Sequence, residues 1–154
     1  MGHTYSHLAV HCVFATKGRS RSIRPEIRDR LWSYMGGIAR QNKMTALGVG
    51  GSADHVHLVL LLPPAVSAAK AVQLIKSGSS KWLREQGELY YDFEWQEGYG
   101  AFTLGISQVP ETLKYVESQE DHHRRRTFRE EFEAFLRKHG LPCAKAVEGD
   151  RGEV

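Results

Sequence analysis

Between the turn-forming run Gly50-Gly51-Ser52-Ala53-Asp54 and the pair Pro63-Pro64 lies one unbroken stretch, from His55 to Leu62. Its length and its Gly and Pro flanks predict a strand. Side chains alternate across a strand, so Val56, Leu58, Leu60 and Leu62 share one face. His55, His57, Val59 and Leu61 share the other. Both faces are largely apolar, which places this strand inside a sheet with layers on both sides.

The neighbouring segments follow from period and punctuation. Tyr5 to Thr16 is rich in β-branched and aromatic residues and reads as a strand. Lys17 to Ser20 is a loop. Arg24 to Gln41 reads as a helix, with Pro25 at its start and Ile27, Leu31, Tyr34 and Ile38 at helical spacing. Thr45 to Gly50 is a short strand. Ser67 is placed to cap a helix that runs to about Gln86, with Gly87 as its stop. Trp95 to Leu104 reads as a strand. Val109 to about His122 is a third helix, led in by Ser107. Thr127 to His139 is a fourth, ended by Gly140 and Pro142. The order β-α-β-β-α-β, then α-α, gives an α+β fold of the split, ferredoxin-like kind. Its antiparallel four-stranded sheet carries two helices on one face, and the terminal helices are additions. Residues 1–142 are expected to form one domain and residues 143–154 a frayed tail.

Composition narrows the function classes. No window approaches the ~18 consecutive apolar residues of a membrane span. The first six residues lack a signal pattern, so the chain reads as cytoplasmic. Cys12 and Cys143 lack the paired spacing of a zinc site, and neither is assigned a role. Net charge is +3, but residues 1–50 hold eight Lys/Arg against two Asp/Glu. This basic segment includes Lys17, Arg19 and Arg21, and a second knot is Arg124-Arg125-Arg126. Such clusters suit a polyanion, although a solvated surface accounts for them equally well.

Two features carry chemistry. Imidazoles at alternate strand positions, His55 and His57, can converge on one divalent metal. As an isolated feature, such a pair is more often two buried histidines held by hydrogen bonds. On the third helix Tyr115 and Gln119 lie four apart and share a face. A tyrosine can attack a phosphodiester, and a glutamine oxygen suits Mg²⁺ or Mn²⁺. Spacing alone favours a merely packed tyrosine. His122 and His123 lie on the same helix, beside the arginine knot, and read as DNA-backbone contact or plain surface.

Together these segments resemble the single-tyrosine HUH transposases of bacterial insertion sequences and their relatives associated with repetitive extragenic palindromes. The similarity rests on HLAVHCVFATKGR (from His7), DHVHLVLLLP (from Asp54), IKSGSSKWL (from Ile75), WQEGYGAFT (from Trp95) and YVESQEDHH (from Tyr115). It implies that His55, His57 and Gln119 bind Mg²⁺ or Mn²⁺ and that Tyr115 is the nucleophile. It further implies cleavage of hairpin-bearing single-stranded DNA through a 5′-phosphotyrosine, by a homodimer with the tyrosine acting in cis or in trans. Two rivals are a domesticated DNA-binding protein of the same fold and a small-molecule metal hydrolase. A barrel hydrolase needs far more chain than this.

Overall fold

The strand His55–Leu62 does lie inside the sheet, with neighbours on both sides. The structure is a computed structural model that describes residues 2–119 and 127–142. In chain order its elements are β1 (Leu8–Ala15), α1 (Pro25–Gln41), β2 (Thr45–Gly51), β3 (His55–Leu62), α2 (Ala68–Arg84), β4 (Gly100–Leu104), α3 (Val109–Glu117) and α4 (Phe128–Lys138). The sheet order is β2-β3-β1-β4, and every pairing is antiparallel. This is the expected α+β arrangement.

The two faces of the sheet are covered by different helices. On one face Val10, Cys12, Phe14, Val56, Leu58 and Leu60 pack against α1 and α2. Those helices present Ile27, Leu31 and Met35, and Val72, Ile75 and Leu83. Each such side chain contributes about 1.5–3 kcal/mol on leaving water. Cys12 is wholly inside this core, and burial pushes its thiol up to about 12. On the other face Val13, Ala15 and Phe102 meet Phe128 and Phe132 of α4.

The helix ends show which local signals held. Ser67 caps α2 by accepting from the Lys70 amide (3.0 Å), as its hydroxyl favours. Thr127 caps α4 in the same way (Glu130 amide, 3.2 Å), and Gly140 follows with φ 69°. Ser107 does not cap α3. A 3-10 turn, Ile106–Gln108, precedes that helix, and the Gln108 side chain accepts from the Gly105 amide (2.8 Å).

Two strands are shorter than expected. Residues 5–7 are exposed and precede β1. Between Trp95 and Leu104 only Gly100–Leu104 pairs continuously, while Trp95 makes a single bridge to Thr16. The intervening chain turns at Gly98 (φ 83°), and Lys76 donates to the Gln96 and Gly98 carbonyls there. α3 ends at Glu117, and the expected last residues of that helix, 120–122, lie outside the described residues.

One close approach fixes where α3 sits. Gly50 pairs with His57 and Gly48 with Val59, so both glycines lie on the histidine face. A Cβ on Gly50 would run into the Val116 carbonyl, and one on Gly48 would come within 2.7 Å of Leu113 Cδ2. The missing side chains let α3 lie against β2. Replacing Gly50 with alanine must push α3 outward, because the obstruction is backbone. A loss of about 1–3 kcal/mol is expected, read as a lower melting temperature. A melting temperature equal to that of the unmodified protein contradicts this packing.

Candidate active site

His55 and His57 project together from the same end of β3, fully buried, with ring centroids 5.1 Å apart. Burying two imidazoles is costly unless their nitrogens are engaged. His55 Nδ1 lies 2.8 Å from Asp54 Oδ1 and 3.0 Å from Ser52 Oγ. In the tautomer in which Nδ1–H donates to this carboxylate, the lone pair is on Nε2. That Nε2 is 3.0 Å from Gln119 Oε1. Gln119 is held in this orientation because its Nε2 donates to the Tyr115 carbonyl (3.1 Å). With Nε2 unprotonated, this nitrogen and Gln119 Oε1 are two donor atoms that one divalent cation could bind together.

His57 has a polar neighbour at each of its nitrogens. Its Nδ1 is 2.8 Å from His11 Nε2, and its Nε2 is 2.7 Å from Glu131 Oε1. His11 is buried on the neighbouring strand, and its ring stacks on His57. Burial above all, with nearby His57, holds His11 down to about 3, so it stays neutral. A neutral His11 can accept the His57 Nδ1 proton, which again leaves Nε2 as the donor atom. His55, His57 and Glu131 each offer a ligand atom, all within 4.8 Å of one another and all from buried residues.

Tyr115 stands over this cluster. Its ring meets His57 edge-on at 5.6 Å and Phe135 at 5.7 Å, and it is partly exposed. A cavity of about 320 Å³ opens beside it, lined also by His11, Gln108, Thr112 and Lys138. Tyr115, on the last turn of α3, thus stands next to His57, and Gln119, two residues past the helix end, next to His55.

The sequence profile described as "Transposase IS200 like" matches residues 4–119, most of the chain. The chain belongs to the IS200-like transposase family. The transposases for insertion sequence element IS200 of Salmonella typhimurium and Salmonella typhi are each 30% identical over 122 residues, covering 75% of this chain and 80% of theirs. A candidate transposase from Deinococcus radiodurans has a similar fold, with TM-score 0.60, 23% identity, and 77% and 96% of the two chains covered. So has a REP-associated tyrosine transposase bound to a REP hairpin, with TM-score 0.57, 11% identity, and 80% and 74% covered. Membership makes this IS200-like chain a DNA-processing enzyme.

Glu131 and His11 are candidate site residues that the sequence reading missed, and for Glu131 a local sign exists. The helix α4 carries Phe128, Phe132 and Phe135 as one stripe, and Glu131 falls inside it. A carboxylate within an apolar stripe must be paired when buried, and Glu131 is 3% exposed. The donor set is two imidazoles, a carboxylate and an amide oxygen, which fits a divalent cation.

The basic residues sort unevenly in this IS200-like protein. The segment after β1 is tied to the turn that leads into His55, through Thr16 amide to Asp54 carbonyl (2.8 Å) and Ile23 amide to Ala53 carbonyl (2.9 Å). Lys17, Arg19 and Arg21 therefore flank the histidine end of the sheet. Lys17 itself is engaged with Glu94 (2.8 Å), and Arg21 lines a surface pocket with Arg24 and Arg28. His122, His123, Arg124, Arg125 and Arg126 lie outside the described residues, as does Cys143. Among the described residues no helix is long and apolar enough to cross a membrane.

Two outcomes are expected from this geometry. Glu131→Gln should weaken Mn²⁺ binding by about tenfold or more in calorimetry; unaltered affinity would remove Glu131 from the metal set. His11 stays neutral in the folded chain but protonates below 6.5 when unfolded. Stability of the metal-free protein should therefore fall as pH drops from 6.5 towards 3, by at most about 1.4 kcal/mol per pH unit from this group. His11→Gln, which cannot titrate, should flatten that slope in denaturant melts.

Proposed function

We propose that this chain is a divalent-metal-dependent endonuclease and strand transferase that acts on hairpin-bearing single-stranded DNA, with Tyr115 as nucleophile. The observation that carries the reading is the pairing at the end of α3 and just past it: Tyr115 against His57, and Gln119 Oε1 3.0 Å from His55 Nε2. The resemblance to single-tyrosine transposases supports the same assignment.

The residues divide the work. His55, His57 and Glu131, with Gln119, would hold Mg²⁺ or Mn²⁺. When bound, the metal supplies Lewis-acid polarisation of the scissile phosphate. Asp54 and Ser52 fix the orientation of His55, and His11 fixes that of His57. Lys138, in the cavity wall beside Tyr115, offers positive charge to the phosphate. Tyr115 Oη attacks phosphorus, the Oη–P bond forms, and the P–O3′ bond breaks. The products are a 5′-phosphotyrosine and a free 3′-hydroxyl. The phosphotyrosine bond conserves the energy of the broken phosphodiester, so a hydroxyl can later reverse the attack and join a new strand.

The basic segment 17–21 would contact the DNA backbone near the site, and Arg124, Arg125 and Arg126 would extend that contact. The proposal includes a homodimer, with Tyr115 serving its own or its partner's histidines. A domesticated binder of the same fold would keep the DNA contacts and give no covalent product.

The decisive experiment is a covalent-trapping gel. Protein and Mn²⁺ are incubated with single-stranded oligonucleotides drawn from the DNA flanking its gene. A denaturant-resistant protein–DNA band is expected from the unmodified protein. Tyr115→Phe should bind the same DNA and give no band, and His55→Ala should lose both metal binding and cleavage. Full cleavage by either variant overturns the mechanism. Affinity should also fall with salt, by about 0.7 in log–log slope per phosphate contact. A flat dependence would sink the backbone-contact role of the basic segment.

A further inference from the structure

On the other face of the sheet from the histidines, α2 and residues 94–99 enclose a second groove of about 510 Å³. Its wall is unlike a spare surface dimple. Tyr99 is 37% exposed although it is a large aromatic residue. Lys76 reaches out of α2, its Nζ 6.0 Å from the centre of the Tyr99 ring and 5.1 Å from that of Phe14. Arg84 adds a second cation, one helical stretch further on. Ser77 and Ser80 contribute hydroxyls between them.

Gln96 supplies the most specific feature. It lines the groove, and its Nε2 points towards the Gly98 carbonyl (3.5 Å) that Lys76 also engages. Its Oε1 is buried and has no hydrogen-bond partner among the described residues. A buried amide oxygen left in that state costs about 1–3 kcal/mol, which a turn of the Gln96 side chain towards an N–H donor in the groove would recover. Burial holds the Lys76 ammonium down to about 8, against the pull of Glu97.

The groove also stands where a strand could reach it. Gln96 donates its amide to the Ala15 carbonyl (2.9 Å), and Ala15 pairs with His55. Residues 94–99 therefore run along the same end of the sheet as the metal-binding pair. A single strand that rounds this end passes from the histidine face to the groove.

An exposed aromatic, flanking cations and an unfilled acceptor are together the recognition chemistry of an unstacked nucleobase. We propose that the groove between α2 and residues 94–99 takes one such base of the bound DNA strand, stacked on Tyr99 and hydrogen-bonded by Gln96, with Arg84 and Lys76 beside its phosphate. This rests on the DNA-binding reading above. It gives the protein a way to read one position of a strand outside the reacting centre.

The test is an abasic scan. Single-stranded oligonucleotides from the DNA flanking the gene are made with one base removed at each position in turn. Their affinities are measured for the unmodified protein, Tyr99→Ala and Tyr99→Phe, after a thermal melt of each variant. Intact DNA should bind Tyr99→Ala about tenfold or more weakly, and Tyr99→Phe as the unmodified protein does. Removing one particular base should weaken binding to the unmodified protein by the same factor and leave Tyr99→Ala unaffected. That non-additivity separates a direct contact from a general loosening of the fold. If every abasic position costs both proteins equally, or if Tyr99→Ala binds intact DNA normally, the groove takes no base. If the unmodified protein binds none of the strands, the DNA reading fails along with this one.

Discussion

Two imidazoles buried on one strand face dictate the rest of the histidine side of the molecule. Left dry and unengaged, His55 and His57 would destabilise the sheet by several hydrogen bonds' worth of free energy. Each instead engages a neighbour through Nδ1 and turns Nε2 towards an oxygen from a later part of the chain. Asp54 and Gln119 attend to His55, and His11 and Glu131 attend to His57. Those partners come from β1, from the turn before β3, from beyond the end of α3 and from α4. The terminal helices are thus more than a lid on a ferredoxin-like sheet. They and the chain between them bring a carboxylate and an amide oxygen to the nitrogen pair on the sheet.

Positioning then depends on small residues as much as on polar ones. The glycines at 48 and 50 open β2 to α3, and that contact sets the height of the helix above the histidines. With α3 at that height, its last turn brings Tyr115 to His57, and the residues that follow bring Gln119 to His55. Tyr115 and Gln119 are tied by the hydrogen bond from Gln119 Nε2 to the Tyr115 carbonyl (3.1 Å), so the two move together. Any shift of α3 relative to the sheet therefore changes both, which couples packing at Val116 to the placement of Tyr115 over His57.

Local signals disclosed most of the fold. The strand His55–Leu62, the helix that starts at Pro25 and the Ser67 cap all depend on neighbours within a few residues, and each forms as expected. The tyrosine helix was assigned its role by resemblance, since four-residue spacing alone describes many packed helices. What escaped was set at long range. Glu131 becomes a candidate ligand only because α4 folds back over β3, and its one local sign was a carboxylate amid Phe128, Phe132 and Phe135. His11 looked like an ordinary strand residue until β1 paired with β3. The stretch from Trp95 to Leu104 misled for a related reason. Its aromatic content suggested a long strand, but Lys76 and Gly98 bend it away from the sheet.

The most direct test of the tyrosine chemistry is a mass measurement on the peptide that begins at Tyr115 and ends at Arg124, released by trypsin after Lys114. The protein is incubated with Mn²⁺ and single-stranded DNA, then digested with nuclease and trypsin. A nucleotide attached to Tyr115 of that peptide is the expected product, absent when Mn²⁺ is withheld. DNA that is cut while this peptide keeps its unmodified mass, or a nucleotide on any other residue, would contradict it.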